Sequence, residues 1–155
     1  MLSVYTVCFF GHRQLDDFQS AEQAVESLIE ALLIDHEYVE FLVGRDREFD
    51  QIVSSAVLRC KKRIDSANCS LTWIMPYLKS EYINNQDSYD SYYDSVEVCE
   101  KSANAHPKSA IQIRNKVMVD RSDFCVFYVT RKNGGAYQTL QYAEKTGANI
   151  INLFK

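Results

Sequence analysis

The chain reads as a doubly wound α/β protein, a mainly parallel sheet with helices on both faces in a Rossmann-like three-layer sandwich. Three observations predict this. The runs "SVYTVCFF" (3–10), "YVEFLV" (38–43) and "FCVFYV" (124–129) are rich in β-branched and aromatic residues and apolar nearly throughout, as strands buried on both faces require. Between them lie longer segments whose apolar residues recur at helical spacing. Strand and helix alternate, which implies right-handed βαβ crossovers and a parallel sheet.

The elements follow in order. The first strand ends at Gly11. Ala21, Val25, Leu28, Ile29 and Leu32 mark a helix from Phe18, with Asp16 or Asp17 as its N-cap. The second strand ends at Gly44, and Phe49, Ile52, Val53, Ala56, Val57, Cys60 and Ile64 mark a second helix with Lys61, Lys62 and Arg63 near its C-terminal end, where cations suit the dipole. "LTWIMPY" (71–77) is a third strand stopped by Pro76. In the Tyr-, Asp- and Ser-rich segment 84–95, and just before it, Tyr82, Tyr89 and Tyr93 fall at helical offsets, which favours a short helix packing its rings on the sheet over an aromatic platform for a ligand. "VEVC" (96–99) is a short strand, and Pro107 opens a helix carrying Ala110, Ile113 and Val117. After the strand at 124–129, an Asn133-Gly134-Gly135-Ala136 turn leads into a helix that Gly147 terminates, and "NIINLF" (149–154) is the last strand.

With 155 residues, 46% of them hydrophobic and 25% charged, the chain has the size and composition of one packed domain, taken as residues 1–155. The formal net charge of -4 supplies no general attraction for a phosphate backbone, so no nucleic acid is expected as a partner. No apolar run is long enough to span a membrane and the N-terminus carries no signal-peptide pattern, so a cytoplasmic protein is expected. Cys8, Cys60, Cys69, Cys99 and Cys125 are scattered without metal-site spacing; no metal and no cofactor are expected, and Cys8, Cys60 and Cys125 read as reduced core residues. Neither Gly-x-Ser-x-Gly nor His-Glu-x-x-His occurs, which removes the easiest hydrolase and metalloprotease readings.

In doubly wound sheets ligands lie beyond the carboxyl ends of the strands, where strand order reverses. The residues there are Gly11-His12-Arg13, Gly44-Arg45-Asp46 and Asn133-Gly134-Gly135-Ala136. Each glycine alone is also the default residue of a tight turn. Their coincidence with two arginines points to an anion, since glycine admits a phosphate to the backbone and the following helix start offers free N–H donors. Arg114, on the helix after Pro107, is a further candidate.

The segments "FFGHR" (9–13), "FLVGRDREFD" (41–50), "PKSAIQIRNKVM" (107–118), "SDFCVFYV" (122–129) and "NGGA" (133–136) together resemble the SLOG superfamily, which joins the Smf/DprA proteins to the Lonely Guy (LOG) enzymes, and most closely its small YpsA-like bacterial branch. The resemblance covers essentially the whole chain. It implies a carboxyl-edge pocket for a nucleotide or nucleotide-derived ligand, in proteins that often form homodimers. LOG enzymes cleave the N-glycosidic bond of nucleoside monophosphates with the motifs Arg-Lys-x-x-Met and Pro-Gly-Gly-x-Gly-Thr-x-x-Glu. Arg114 and Met118 match the first, with Asn115 in place of lysine; Gly134 and Gly135 match the second, with Asn133, Tyr137, Gln138 and Gln141 in place of proline, the third glycine, threonine and glutamate. Where the branch usually has a second glycine before the Phe-Asp pair, this chain has Glu48.

The last exchange bears on chemistry, because a neutral Gln141 neither stabilises a ribosyl cation nor accepts a proton. The resemblance therefore implies binding or sensing ahead of hydrolysis, with the glycine turns as phosphate seat, Arg13 and Arg114 as its charge, and Asp50 on ribose hydroxyls or a water. Asp50 and Asp120 are the candidates for a substitute carboxylate should the chain be a phosphoribohydrolase. Single-strand DNA binding in the manner of Smf/DprA is the least favoured reading.

Overall fold

The computed structural model describes residues 3–64 and 68–155. Met1 and Leu2, part of the N-terminus read as leaderless, lie outside them. Six strands, β1 (Val4–Gly11), β2 (Tyr38–Val43), β3 (Cys69–Met75), β4 (Ser95–Val98), β5 (Phe124–Tyr128) and β6 (Ile150–Asn152), form one sheet. Its order is β4-β3-β2-β1-β5-β6, and each neighbouring pair is parallel. The order reverses between β1 and β5, so the switch point lies beyond Gly11 and Tyr128, which are register partners.

The helices are α1 (Phe18–Asp35), α2 (Glu48–Arg63), α3 (Ser80–Asn84), α4 (Gln86–Tyr92), α5 (Pro107–Arg121) and α6 (Gly135–Lys145). Local chemistry sets several of their starts. Asp17 caps α1 by accepting from the Ser20 N–H at 3.1 Å. Pro107 occupies the first turn of α5, where its missing N–H costs nothing, and His106 Nδ1 accepts from the Lys108 N–H.

Strand side chains alternate between two cores. Val7, Phe9, Phe41, Val43 and Trp73 meet Val25 and Ile29 of α1 and Phe49, Val53 and Val57 of α2. Cys8, Phe10, Leu42, Cys125 and Phe127 meet Met118 and Val119 of α5 and Ala136 and Ala143 of α6. All five cysteines are free and buried. Burial pushes the Cys60 thiol up to about 11, in keeping with an inert packing residue.

The Tyr-rich segment forms two short helices rather than one. Its rings surround Trp73, with Tyr89, Tyr93 and Tyr82 centroids at 5.1, 5.4 and 5.8 Å, so the packing role is the one observed. Arg45 joins this cluster: its guanidinium lies 4.9 Å from the Tyr89 ring centre and donates to Tyr93 Oη at 3.1 Å. Among the described residues no helix is long and apolar enough to cross a membrane.

Candidate functional site

A cavity of about 410 Å³ opens at the switch point. Gly11, His12 and Arg13 enter it from the end of β1, Asp46 and Arg47 from the loop before α2, Lys108 and Gln112 from the first turns of α5, and Arg131, Gly134, Gly135 and Ala136 from the β5–α6 connection. Of the residues the sequence put forward, Gly11, His12, Arg13, Gly134, Gly135 and Ala136 stand together on its wall. Arg47, Lys108 and Arg131 are cations the sequence reading did not single out. Two of them were accessible to it: Arg131 is in the same loop as the glycine pair, and Lys108 follows the proline that starts a helix at this edge.

Gly134 adopts φ 87° and ψ 175°, a region open essentially to glycine alone, and nothing lies within 4 Å of where its Cβ would be. This conformation starts α6 at Gly135, and the first residues of the helix, whose N–H groups have no partner within it, stand on the cavity wall, where the dipole favours an anion. The turn is held from below. Gln112 Nε2 donates to the Gly135 carbonyl at 2.9 Å, and Thr139 Oγ1 donates to the same oxygen at 3.0 Å.

Thr139 belongs to a buried polar chain that explains the remaining candidates. Asn115 Nδ2 donates to Thr139 Oγ1 at 3.1 Å, and Asn115 Oδ1 accepts from Arg114 Nε and Nη2 at 3.1 and 3.0 Å. Arg114 Nη1 donates to the Ile74 carbonyl at 2.9 Å, and its Nη2 lies 3.0 Å from Asp46 Oδ2. That ion pair is close but not aligned as a hydrogen bond, so Oδ2 has no aligned donor. The Asp46 Oδ1 is paired with Lys79. Burial opposes ionisation of Asp46, yet Arg114 and Lys79 outweigh it and hold the carboxyl below its ordinary range.

Arg114 is therefore only 1% exposed and lies beneath the cavity rather than projecting into it. Its guanidinium fills the space under Gly44, where a Cβ would come within 3.0 Å of Nη1, so that glycine admits a side chain of the protein itself and not a ligand. Asn115 is likewise buried. Asp50 is buried too, and accepts from the Asp46 N–H at 3.0 Å, reaching back to the loop before α2. Desolvation raises its pKa, with Arg47 and Arg114 opposing. It is not among the residues that line the cavity. Asp120 sits at the far end of α5, at the amino edge of the sheet, where both carboxylate oxygens accept from Tyr142 Oη at 2.8 and 2.9 Å. Gln141 is exposed and donates to Tyr137 Oη, and Glu48, in the first turn of α2, donates its N–H to the Arg13 carbonyl.

His12 is 4% exposed and Nε2 accepts the Thr130 N–H at 2.9 Å, which ties the ends of β1 and β5 and leaves the ring proton on Nδ1. Burial lowers its pKa, and Arg131 and Arg47 lower it further, so the ring is neutral near pH 7. Gly11 has an internal reason as well, because its Cβ would lie 2.3 Å from Phe49 Cγ.

Fold and cavity together define a Rossmann-like α/β domain with its opening at the switch point. That class takes a particular form in two solved structures. DNA processing protein A (DprA) from Streptococcus pneumoniae matches with a TM-score of 0.69 and 13% identity over 95% of this chain, and DprA from Helicobacter pylori with 0.65 and 15% over 94%. The chain spans 49% and 63% of the length of those proteins. No family model and no curated protein sequence matches it. At these identities the likeness is one of fold; it agrees with the SLOG resemblance and does not select the YpsA-like branch.

One expectation is corrected here. The Helicobacter protein has a single-stranded DNA binding mode, so excluding nucleic acid on net charge does not stand for this fold. The physical reason is that a local field matters, not the sum over the chain. Four cations, Arg13, Arg47, Lys108 and Arg131, line the cavity, while many of the acids lie elsewhere, as with Glu22, Glu26 and Glu30 along α1.

Proposed function

We propose that the cavity binds the phosphate of a nucleotide or nucleotide-derived ligand over the Gly134–Gly135 turn, and that the chain binds this ligand without cleaving it. One observation carries the reading. Four cations line the cavity, and its single carboxylate among the described residues, Asp46, is already paired with Arg114 and Lys79. A carboxylate held ionised by two cations is a weak base, Asp50 is sealed beneath the floor, and Asp120 is at the opposite edge. Among the described residues lining this cavity, that leaves no free carboxylate to activate water against a glycosidic bond.

Titration calorimetry with inorganic phosphate and AMP tests the proposal. Binding is expected, and Arg131→Gln should weaken it by about one to two decades, the worth of a charge-assisted contact of roughly 1.5–3 kcal/mol. Absence of binding by the wild type would refute the phosphate seat, and release of adenine would refute the binding-only reading.

The likeness to the Helicobacter protein favours a second reading, in which the phosphate belongs to single-stranded DNA. Anisotropy of a labelled oligonucleotide across a salt series separates the two. A strand lying over several of the cations should lose affinity with a log–log slope of about -0.7 per phosphate neutralised, whereas a strand that does not bind at low salt returns the site to small ligands.

A further inference from the structure

A second cavity, of about 420 Å³, lies across the β5–α6 connection from the first, and Arg131 is a wall of both. Its character differs. Tyr137 and Leu140 of α6 and Phe154, after β6, supply apolar surface, and Lys132 adds a second cation beside Arg131. Phe154 is 44% exposed, and its edge contact with Tyr128, centroids 5.8 Å apart, leaves much of it uncovered.

The backbone at this wall is tied by hydrogen bonds. Asn152 uses both ends of its amide on one residue, accepting the Val129 N–H at 3.0 Å and donating to the Val129 carbonyl at 3.1 Å. The next N–H, that of Thr130, is held by His12. A cavity with apolar side chains on part of its wall, an exposed aromatic ring and a cation shared with the neighbouring cationic cavity suits one chemical group above others, a heterocyclic base carried by a phosphate.

We infer that this second cavity is a nucleobase subsite, in which the base of the ligand stacks on Phe154 against Tyr137 and Leu140 while its phosphate lies across Arg131 in the first cavity. The inference rests on the phosphate-binding reading above. Glu144, also on the wall, adds an acceptor suited to an exocyclic amine, which favours adenine over thymine.

The test measures wild type, Phe154→Ala and Phe154→Tyr against inorganic phosphate, AMP and the dinucleotide pApA. Wild type should bind at least one of the two nucleotides more tightly than phosphate; AMP would show that one nucleotide spans both cavities, pApA alone that a neighbouring residue of a strand supplies the base. Phe154→Ala should then lose about five- to 150-fold on that ligand, the range for removing one stacked ring, with phosphate affinity and melting temperature unchanged. Phe154→Tyr should retain the wild-type affinity, which a purely structural role of the ring would not require. Equal nucleotide binding by wild type and Phe154→Ala overturns the base subsite while leaving the phosphate seat standing. Failure of wild type to bind phosphate or either nucleotide overturns both.

Discussion

The loops after β1 and β2 look alike in sequence, Gly-His-Arg and Gly-Arg-Asp, and the folded chain uses them in opposite ways. After β1, Arg13 is exposed on the cavity wall beside Arg131. After β2, Arg45 turns away to Tyr89 and Tyr93, and Asp46 is captured by Arg114 and Lys79. The first loop offers uncompensated charge; the second consumes its own. What separates them is Arg114. A guanidinium arriving from α5 beneath Gly44 converts one glycine-arginine loop into packing, and no comparable group arrives beneath Gly11, whose space is taken by the Phe49 ring. A glycine at a strand end thus records a close approach without saying whether a ligand or the protein makes it.

The sharpest way to break this comparison is to remove Arg114. Arg114→Ala leaves Asp46 and Asp50 buried with fewer cations and the Ile74 carbonyl without its donor, so a loss of about 3–5 kcal/mol is expected in urea denaturation. A nearly neutral effect on stability together with lost phosphate binding would return Arg114 to the ligand and erase the distinction. A smaller effect is expected from the glycines. Gly11→Ala drives a methyl group into the Phe49 ring and should cost about 1–3 kcal/mol. Gly135→Ala meets only the movable end of Gln112, at 3.2 Å, and should stay within about 0.5 kcal/mol. Equal melting temperatures for the two variants would show that both turns are equally open.

The smallest effect sharpens the open side. His12 has a folded pKa below its ordinary 6.5, because burial and then Arg131 and Arg47 disfavour the imidazolium. Above pH 6.5 the ring is neutral folded and unfolded and its contribution is intact; as pH falls below 6.5 the unfolded chain takes up a proton that the folded chain refuses, so stability falls. The hydrogen bond from Thr130 is lost with protonation, and about 1 kcal/mol is the expected scale. The decline between pH 7 and pH 5 should be shallower in His12→Gln. An identical pH profile for the variant would remove His12 as the tie between β1 and β5.

The strands and long helices were legible because their apolar runs differ in period, and the limits moved by a residue or two where packing decided them. Cys69 and Ser70 extend β3 because they pair with Val39 and Glu40. The last strand shrinks to Ile150–Asn152 because Asn152 turns its amide onto Val129. The cavity was legible where its residues sit in strand-end loops. It was not legible for Arg114, Asn115 and Asp50, because sequence places them at the right edge without giving their depth, and a buried cation with a complete set of acceptors has the same one-letter code as a cation waiting for a phosphate. Asp120 lies away from the cavity for a plainer reason: α5 runs antiparallel to the strands, so its last turn is at the opposite edge of the sheet.

The seam on which the cavity sits joins the two ends of the chain. Thr6 donates its N–H to Asp123, 117 residues away, and Thr130 to His12, 118 residues away. Contacts of such separation require a large loop to close before they repay its entropy. The β2-β3-β4 side can pair from local crossovers while the seam is still open, and in that state the first cavity does not exist, since its walls come from both sides of the seam. Any compound held there recognises only the finished chain. It works as a latch on the pairing of the first strand with the fifth, adding stability in proportion to the logarithm of its concentration and shielding the seam from proteases that attack partly opened molecules.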